Sequence, residues 1–249
     1  MTQKLLTALF LSILALALTA VAQASEPMNM DKLECMIEPI QQVEISSSVP
    51  GVLAKSNVER GDKVKKGQVL AELDSGVENA RVSVAKAKAE FNKRKLARND
   101  DMYKKELISL QERDEVETEW RVSLMELKEA RELYQQRKIR TPFSGVIVSK
   151  NKDAGEFTGD EPVFTLANID QLYVELVVPV EYYGRFKTGD SVLLQPQAPI
   201  SGQYRGQVKV VDPLIDAGSG TFGVRILLDN PGKKIPAGIR CQVLSITSE

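Results

Sequence analysis

The sequence of 249 residues contains no histidine. This absence excludes Ser-His-Asp and Cys-His catalysis, and it excludes zinc sites that are built on imidazole. The 33 lysine and arginine residues nearly balance the 34 aspartate and glutamate residues, so no attraction to nucleic acid is indicated. No motif for carboxylate or lysine chemistry stands out. We therefore expect a protein that is not an enzyme and has no cofactor.

Long apolar runs are also absent, with one exception near the N-terminus. After Lys4, an apolar run covers residues 5–18, and Ala22-Gln23-Ala24 forms a small-x-small cleavage site. The run is shorter than the roughly 20 apolar residues that span a bilayer. Residues 1–24 are therefore interpreted as a signal peptide, and Ser25 at the new N-terminus rules out a lipid-anchored cysteine. We expect an exported protein without a membrane span.

Cysteine is scarce as well, and the sequence has only Cys35 and Cys241. In an oxidising compartment the two are a disulfide candidate. Two separate buried thiols are an equal alternative, since the sequence alone gives no distance. A weaker hypothesis is a Cu(I) site, because thioether and thiol ligands suit Cu(I). Its ligands would be Met28, Met30 and Met36, together with Cys35, although methionines in a leader segment are more often incidental.

Two stretches of the sequence, about 94 residues apart, resemble each other. Gly51 in the first stretch aligns with Gly145 in the second, and Gly61 aligns with Gly155. Each copy has short β-type runs that glycine turns interrupt, and neither copy could bury its apolar face alone. We expect the two halves, residues 45–75 and 141–168, to form one lipoyl-like β-sandwich.

Glycine and proline are missing between these halves, from residue 77 to residue 141. Ala, Glu, Lys, Arg and Leu dominate there, which are strong helix formers, and Pro142 follows as a stop signal. Ser75 with Glu78, and Ser109 with Glu112, match the capping-box pattern of a helix start. Residues 76–140 are therefore predicted to form an antiparallel coiled-coil hairpin, with helices at 76–107 and 110–140.

Apolar residues at alternating spacings of three and four predict the seam between the two helices. In the second helix the seam consists of Val116, Trp120, Ser123, Leu127, Ala130 and Tyr134. In the first helix the predicted seam consists of Val77, Ala80, Val84, Ala87 and Phe91. Beyond Phe91 the pattern fails, because Arg94 and Arg98 take the apolar positions. We therefore expect the distal third of the hairpin to pack weakly and to be an interaction site.

From residue 171 onward the pattern is all-β. Five strand-like runs, some of them separated by short turns, predict a small β-barrel over residues 169–249. Residues 25–44 would form an N-terminal segment and a first strand. The expected fold is mainly β plus an α-helical hairpin: a split lipoyl/biotinyl-like sandwich, an antiparallel coiled coil and a small barrel.

This combination resembles the membrane fusion, or periplasmic adaptor, family, which serves resistance-nodulation-division (RND) pumps and haemolysin-D-like exporters. The split halves around a hairpin carry the resemblance, together with barrel segments 212–216, 224–226, 230–231 and 235–238. The resemblance covers residues 40–246. Pump adaptors usually continue into a C-terminal membrane-proximal domain, and because this sequence stops at Glu249 we expect a short member without that domain. It also has Ser219-Gly220-Thr221 where the family has Thr-Arg-Thr.

The resemblance implies a connecting function. The chain would link an inner-membrane transporter of the RND or ABC type to an outer-membrane channel of the TolC-like type. It would lie in the periplasm, peripherally associated with the inner membrane through its transporter, as a homo-oligomer that forms a hexameric ring. The alternative is an envelope-binding or regulatory module that keeps the adaptor fold without a dedicated pump. A swinging lipoyl carrier is disfavoured, because the hairpin replaces the turn that would display the modified lysine.

The resemblance also places a partner contact at the hairpin tip. Ser109 matches the Arg, Leu and Ser pattern that pump adaptors present to the channel. Asn99 and Met102 stand where Arg and Leu are expected, and Arg98 is one position away. Apolar residues at a solvated turn are unfavourable unless something covers them, although they could also fold back over Met102 and Val116. The candidate contact residues are Arg98, Met102, Leu107, Ile108, Ser109 and Leu110.

Overall fold

A computed structural model of the chain describes residues 33–247. The signal peptide expected at residues 1–24, and the candidate ligands Met28 and Met30, lie outside the described residues. The two long helices are α1 (Gly76–Lys104) and α2 (Leu110–Gln136). The strands are β1 (Glu34–Ile45), β2 (Gly51–Ser56), β3 (Lys63–Val64), β4 (Val69–Leu73), β5 (Lys138–Arg140), β6 (Gly145–Lys150), β7 (Phe157–Thr158), β8 (Phe164–Pro179), β9 (Ser191–Pro196), β10 (Tyr204–Val211), β11 (Thr221–Asp229) and β12 (Ile239–Thr247).

Six strands close into a β-barrel at one end of the molecule. Their order is β1-β12-β9-β10-β11-β8, and β1 also pairs with β8, so that the sheet closes on itself. Alternate side chains along each strand point inward, and the apolar ones fill the interior. The first half of β1 thus belongs to the barrel, although it is far in sequence from the other five strands. Fully buried barrel residues include Ile37, Leu172, Leu194 and Ile226.

The two sequence copies form a sandwich with internal two-fold pseudosymmetry. The N–H of Gly61 donates to the carbonyl of Ile147 (2.8 Å), and the N–H of Gly155, its counterpart, donates to the carbonyl of Leu53 (2.7 Å). Gly61 and Gly155 have φ values of +93° and +95°, a region in which a side chain is strained. Each half therefore completes the hydrogen bonding of the other, as expected from the sequence repeat.

The barrel and the sandwich share β1 and β8. The pairing of these strands begins in the barrel at Cys35 opposite Leu176 and ends in the sandwich at Ile45 opposite Phe164. A register shift between Pro39 and Gln41 is the one irregularity along this pairing. One antiparallel ribbon therefore runs through both β-domains.

The hairpin leaves the sandwich on the side opposite the barrel. Just beyond the end of β1, the Ser48 hydroxyl donates to the carbonyl of Gln136 (3.3 Å), and Arg137 donates to the carbonyl of Pro50 (3.0 Å). Arg137 also pairs with Glu78 in the first turn of α1, with Nη2 2.8 Å from Oε1. Barrel, sandwich and hairpin therefore follow one another along one axis.

The helix contact confirms the predicted seam of α2 and corrects that of α1. In α2, four of the six predicted residues are buried and Trp120 and Tyr134 are half-buried. In α1, Val77, Val84 and Phe91 are more than half exposed, so the predicted seam is wrong. The predicted and observed sets of α1 residues both alternate spacings of three and four and are offset by one or two positions, so spacing alone could not separate them. The residues of α1 that face α2 are Val82, Ala85, Ala89, Asn92, Leu96 and Asn99.

The observed register also extends the helix contact beyond Phe91. Asn92 and Leu96 are buried, and Lys95 Nζ lies 2.6 Å from the carboxylate of Glu119 on α2. The expectation of a weakly packed distal third is therefore wrong, because it followed from the misplaced seam.

The start of α1 and the ends of both helices differ from the sequence prediction. Ser75 makes no side-chain cap hydrogen bond, and the N–H of Gly76 instead donates to Asp74 Oδ1 (3.2 Å). Helix α1 ends at Lys104 because residues 105–109 form the turn. Helix α2 ends at Gln136 because residues 138–140 form β5, which pairs with β4.

Cys35 and Cys241 lie opposite each other on β1 and β12, with Cα atoms 4.9 Å apart, and they are bonded as a disulfide. The bond joins the first strand of the barrel to the last. Both residues are buried, so Cys35 presents no free thiol to a metal. Met36 points to the opposite side of β1 and is partly exposed.

We expect loss of this disulfide to lower the stability of the whole chain. The bond joins residues 206 positions apart, so it restricts the unfolded chain, and such bonds contribute about 2–5 kcal/mol. The Cys35→Ala/Cys241→Ala variant should unfold at a lower temperature in calorimetry, and wild-type protein in reductant should shift in the same direction. An unchanged unfolding temperature, or two free thiols per unfolded wild-type chain, would contradict the prediction.

Candidate functional site

Hydrogen bonds at the end of α1 and at the start of α2 hold the turn between the helices, residues 105–109. At the end of α1, the N–H of Leu107 donates to the carbonyl of Met102 (3.0 Å), and that of Glu106 donates to the carbonyl of Tyr103 (2.9 Å). This pattern is a Schellman motif, which requires a left-handed residue, and Glu106 takes that position with φ +58°. The backbone of the turn is therefore held in one geometry.

Ser109 begins α2 and confirms the predicted capping box. The N–H of Glu112 donates to the Ser109 hydroxyl (3.2 Å), while the N–H of Ser109 donates to Glu112 Oε2 (2.8 Å). The backbone N–H of Ser109, followed by its hydroxyl, holds the pKa of Glu112 below its ordinary value. The Ser109 hydroxyl donates to Glu112 as well, so its hydrogen is already engaged in the cap.

The apolar residues of the turn do not fold back together over the helices. Leu107 is 66% exposed and Leu110 is 54% exposed, while Ile108 is half-buried. Met102 and Tyr103, in the last turn of α1, are exposed as well. The structure therefore presents a continuous set of apolar side chains at the tip of the hairpin.

Arg98 and Met102 lie one helical turn apart on the outer side of α1, because residues four positions apart share a face. Both are exposed, and Arg98 makes no ion pair within residues 33–247. A cation is thus available beside the apolar tip. Asn99 points differently: it is half-buried toward α2, and its amide donates to the carbonyl of Lys95 (2.9 Å).

A cluster of charges connects the two helices just below the tip. Arg113 Nε lies 2.9 Å from Asp100 on α1, and its Nη1 lies 2.7 Å from Glu117 on α2. The carboxylate of Asp100, followed by that of Asp114, raises the pKa of the Arg113 guanidinium. Sequence reasoning missed this cluster, because no local motif marks charges that two different helices bring together.

A second apolar surface lies at the far end of the barrel, where β8 ends and β11 begins. Leu214, in the loop from β10 to β11, is 82% exposed, and Ile215, Val180 and Tyr183 are also accessible. The loop is ordered by Asp216, whose carboxylate accepts from the N–H groups of Ser219 (3.1 Å) and Gly218 (2.8 Å). These bonds lower the pKa of Asp216. The molecule therefore has an apolar surface at each end of its long axis.

Comparison with known families identifies both β-domains. Residues 41–168 match the CzcB-like barrel-sandwich hybrid domain, and residues 171–248 match the CusB-like β-barrel domain. The chain therefore belongs to the membrane fusion, or periplasmic adaptor, family. Within this family, its sandwich resembles that of CzcB-like members and its barrel resembles that of CusB-like members. The fold class predicted from the sequence is confirmed.

Curated relatives include components of efflux systems. The chain is 24% identical over 230 residues to multidrug resistance protein MdtE of Escherichia coli O6:H1, covering 81% of this chain and 60% of MdtE. It is 24% identical over 212 residues to SrpA, the solvent efflux pump periplasmic linker of Pseudomonas putida, covering 79% of this chain and 56% of SrpA. The chain thus spans less than two thirds of the length of each of these two relatives.

Solved structures show the same fold. A MacA–MexA chimera with the Pseudomonas aeruginosa MexA α-hairpin has a TM-score of 0.73 and 19% identity, covering 87% of this chain and 79% of the chimera. Spr0693, a membrane fusion protein of Streptococcus pneumoniae R6, has a TM-score of 0.67 and 14% identity, covering 87% of this chain and 99% of Spr0693.

Neither of the two long helices within residues 33–247 is apolar enough over a sufficient length to cross a membrane.

The cap at Ser109 gives a direct test of the tip geometry. Ser109→Ala removes the acceptor for the Glu112 N–H and should destabilise the start of α2 by about 0.5–2 kcal/mol, whereas Ser109→Thr keeps the cap. Hydrogen exchange at Glu112 and Arg113 should be faster in the alanine variant. Ser83→Ala, on the exposed side of α1, is the matched control. Equal exchange in the Ser109→Ala variant and wild type would show that the cap does not hold the turn.

Proposed function

We propose that this chain is a periplasmic adaptor subunit that links an inner-membrane transporter to an outer-membrane channel. The observation that supports this most is the separation of two exposed apolar surfaces, one at the hairpin tip and one at the far end of the barrel. A connector needs two binding surfaces held at a fixed distance, and it needs no reactive centre between them. The efflux-related names of the relatives agree with such a function.

The hairpin tip would contact a channel of the TolC-like type. Leu107 and Leu110 offer apolar area, and the ordered turn means that little conformational entropy is lost when a partner covers them. Arg98 adds a cation beside Met102, which suits a partner with acidic or carbonyl groups at the contact. Ser109 serves mainly to hold the turn, since its hydroxyl is already bonded within the chain.

The opposite end of the barrel would contact the inner-membrane transporter, of the RND or ABC type. Leu214 is the most exposed large apolar residue of the described chain, and it lies on a loop that Asp216 holds in place. Exposed apolar side chains that lie near one another are typical of a contact surface for a protein or a membrane. The chain would thus lie in the periplasm, peripherally associated with the inner membrane through its transporter, in a homo-oligomeric, hexameric ring.

The tip can be tested with the variant Leu107→Ser/Ile108→Asn/Leu110→Gln. Leu107 and Leu110 are exposed and Ile108 is half-buried, so the fold should persist while association with the channel and export fall sharply. After cross-linking in cells, an affinity-tagged chain should recover an outer-membrane channel, and the triple variant should recover much less. Met125→Gln, an exposed change on α2 away from the tip, is the control.

The outcome separates the adaptor function from its alternative. If the triple variant loses helicity and thermal stability while channel recovery is unchanged, the tip is only a local cap. If the wild-type chain recovers neither a channel nor a transporter, an envelope-binding or regulatory module without a pump is favoured instead.

A further inference from the structure

A groove lies on the outer surface of the molecule where the barrel meets the sandwich. Residues of the strands β1, β6 and β8 line it, together with residues 236–238 of the loop before β12. The groove has a volume of about 870 Å³, which is in the range of known small-molecule sites. Such sites are common where two domains meet, and both β-domains contribute residues to this groove. We call it the junction groove.

Most of the lining of the junction groove is apolar. The apolar residues include Val146 and Val148 from β6, Ile169 from β8, and Pro236 and Ala237 from the loop before β12. Val148 is 42% exposed, so its side chain is accessible in the groove. Because paired strands carry most of this lining, the groove is formed before anything binds, and a ligand loses little affinity to ordering of the protein.

The polar residues of the junction groove all come from β1. They are Glu38, Gln41 and Gln42, and all three are exposed. Glu38 is the one charged residue of the lining. In the part of the chain that the structure describes, no hydrogen bond or ion pair engages these three side chains. The groove therefore offers one unpaired carboxylate and two free amides beside an apolar surface.

The backbone of β1 is irregular at this point. Gln41 and Gln42 are consecutive residues that both line the groove, next to the register shift between Pro39 and Gln41. An irregularity of this kind re-aims side chains, and it is common beside binding sites.

Basic residues on the adjoining strands do not neutralise this carboxylate. Arg240 of β12 lies opposite Met36, but it pairs with Glu34 (3.8 Å) and does not line the groove. Lys63 of β3 lies opposite Val146, and it is also outside the lining. The charge that the groove presents to a ligand is therefore negative.

We propose that the junction groove binds a small amphipathic cation. Its apolar body would lie on the residues of β6 and β8, and its ammonium group would lie at Glu38. An ammonium group has three donors, so it can bind the Glu38 carboxylate and the amide oxygens of the two glutamines. An anion of the same shape would be repelled by Glu38. The site goes beyond the proposed adaptor function, because a connector needs no small-molecule site.

The test is isothermal titration calorimetry of the full exported protein with decylammonium, kept below the concentration at which it forms micelles. The wild type should bind it saturably, and it should bind decanoate, which has the same chain length, at least about fivefold more weakly. Glu38→Gln should weaken decylammonium binding by about threefold to fivefold, as expected for an exposed ion pair. Glu38→Lys should reverse the preference, so that decanoate binds better than decylammonium.

A second variant tests the apolar part of the junction groove. Val148→Trp puts a large side chain into the groove at a partly exposed position, so it should abolish binding of both probes while the fold persists. The control is Glu44→Gln, which removes an exposed carboxylate of the same strand outside the groove and should leave binding unchanged. Circular dichroism should show the same secondary structure in all variants.

Three results would overturn the proposal: no saturable binding of decylammonium by the wild type, equal affinity for decanoate, or equal weakening by Glu44→Gln and Glu38→Gln. Neither a channel nor a transporter is in the assay. Such a result would therefore leave the adaptor function untouched, and failure of the tip variant in cells would leave the junction groove untouched.

Discussion

The antiparallel pairing of β1 with β8 is the contact on which the rest of the molecule depends. In the barrel it is the pairing that closes the sheet, and in the sandwich β8 continues into pairing with β6. Because both strands pass through the junction, backbone hydrogen bonds as well as chain connections join the two β-domains. The hairpin is then fixed to the sandwich by Arg137, which contacts Pro50 and Glu78. This succession gives the molecule two distant ends.

Much of this architecture was predictable because its signals are local. Glycines at 61 and 155, the absence of glycine and proline between residues 77 and 141, and the cap at Ser109 each act over a few residues. The sequence did not reveal that the first half of β1 belongs to the barrel. That placement depends on pairing with residues about 140 to 200 positions away. The sequence likewise left the pairing of Cys35 with Cys241 open, because register across distant strands decides it.

The misplaced seam of α1 has a physical cause. Val84 and Phe91 are more apolar than their neighbours Ala85 and Asn92, which face α2, so hydrophobicity favoured the wrong stripe. The small residues of α1 face α2 because they allow the two helices to approach closely. The close approach also lets Lys88 and Lys95 reach Glu126 and Glu119. The larger apolar residues are thereby left outside. At the tip, the pattern of Ser109 and Glu112 predicted the start of α2, while the Arg113 cluster carried no recognisable motif.

The central claim is that the β1–β8 ribbon separates two different binding surfaces, which lie at opposite ends of the molecule. The most direct measurement is photo-cross-linking in living cells, with a photoreactive residue placed at Leu107 in one strain and at Leu214 in another. Both positions are exposed, so each should tolerate the replacement. The account predicts an outer-membrane protein in the adduct from residue 107 and an inner-membrane protein in the adduct from residue 214. The same partner at both positions, or the two partners exchanged, would contradict it.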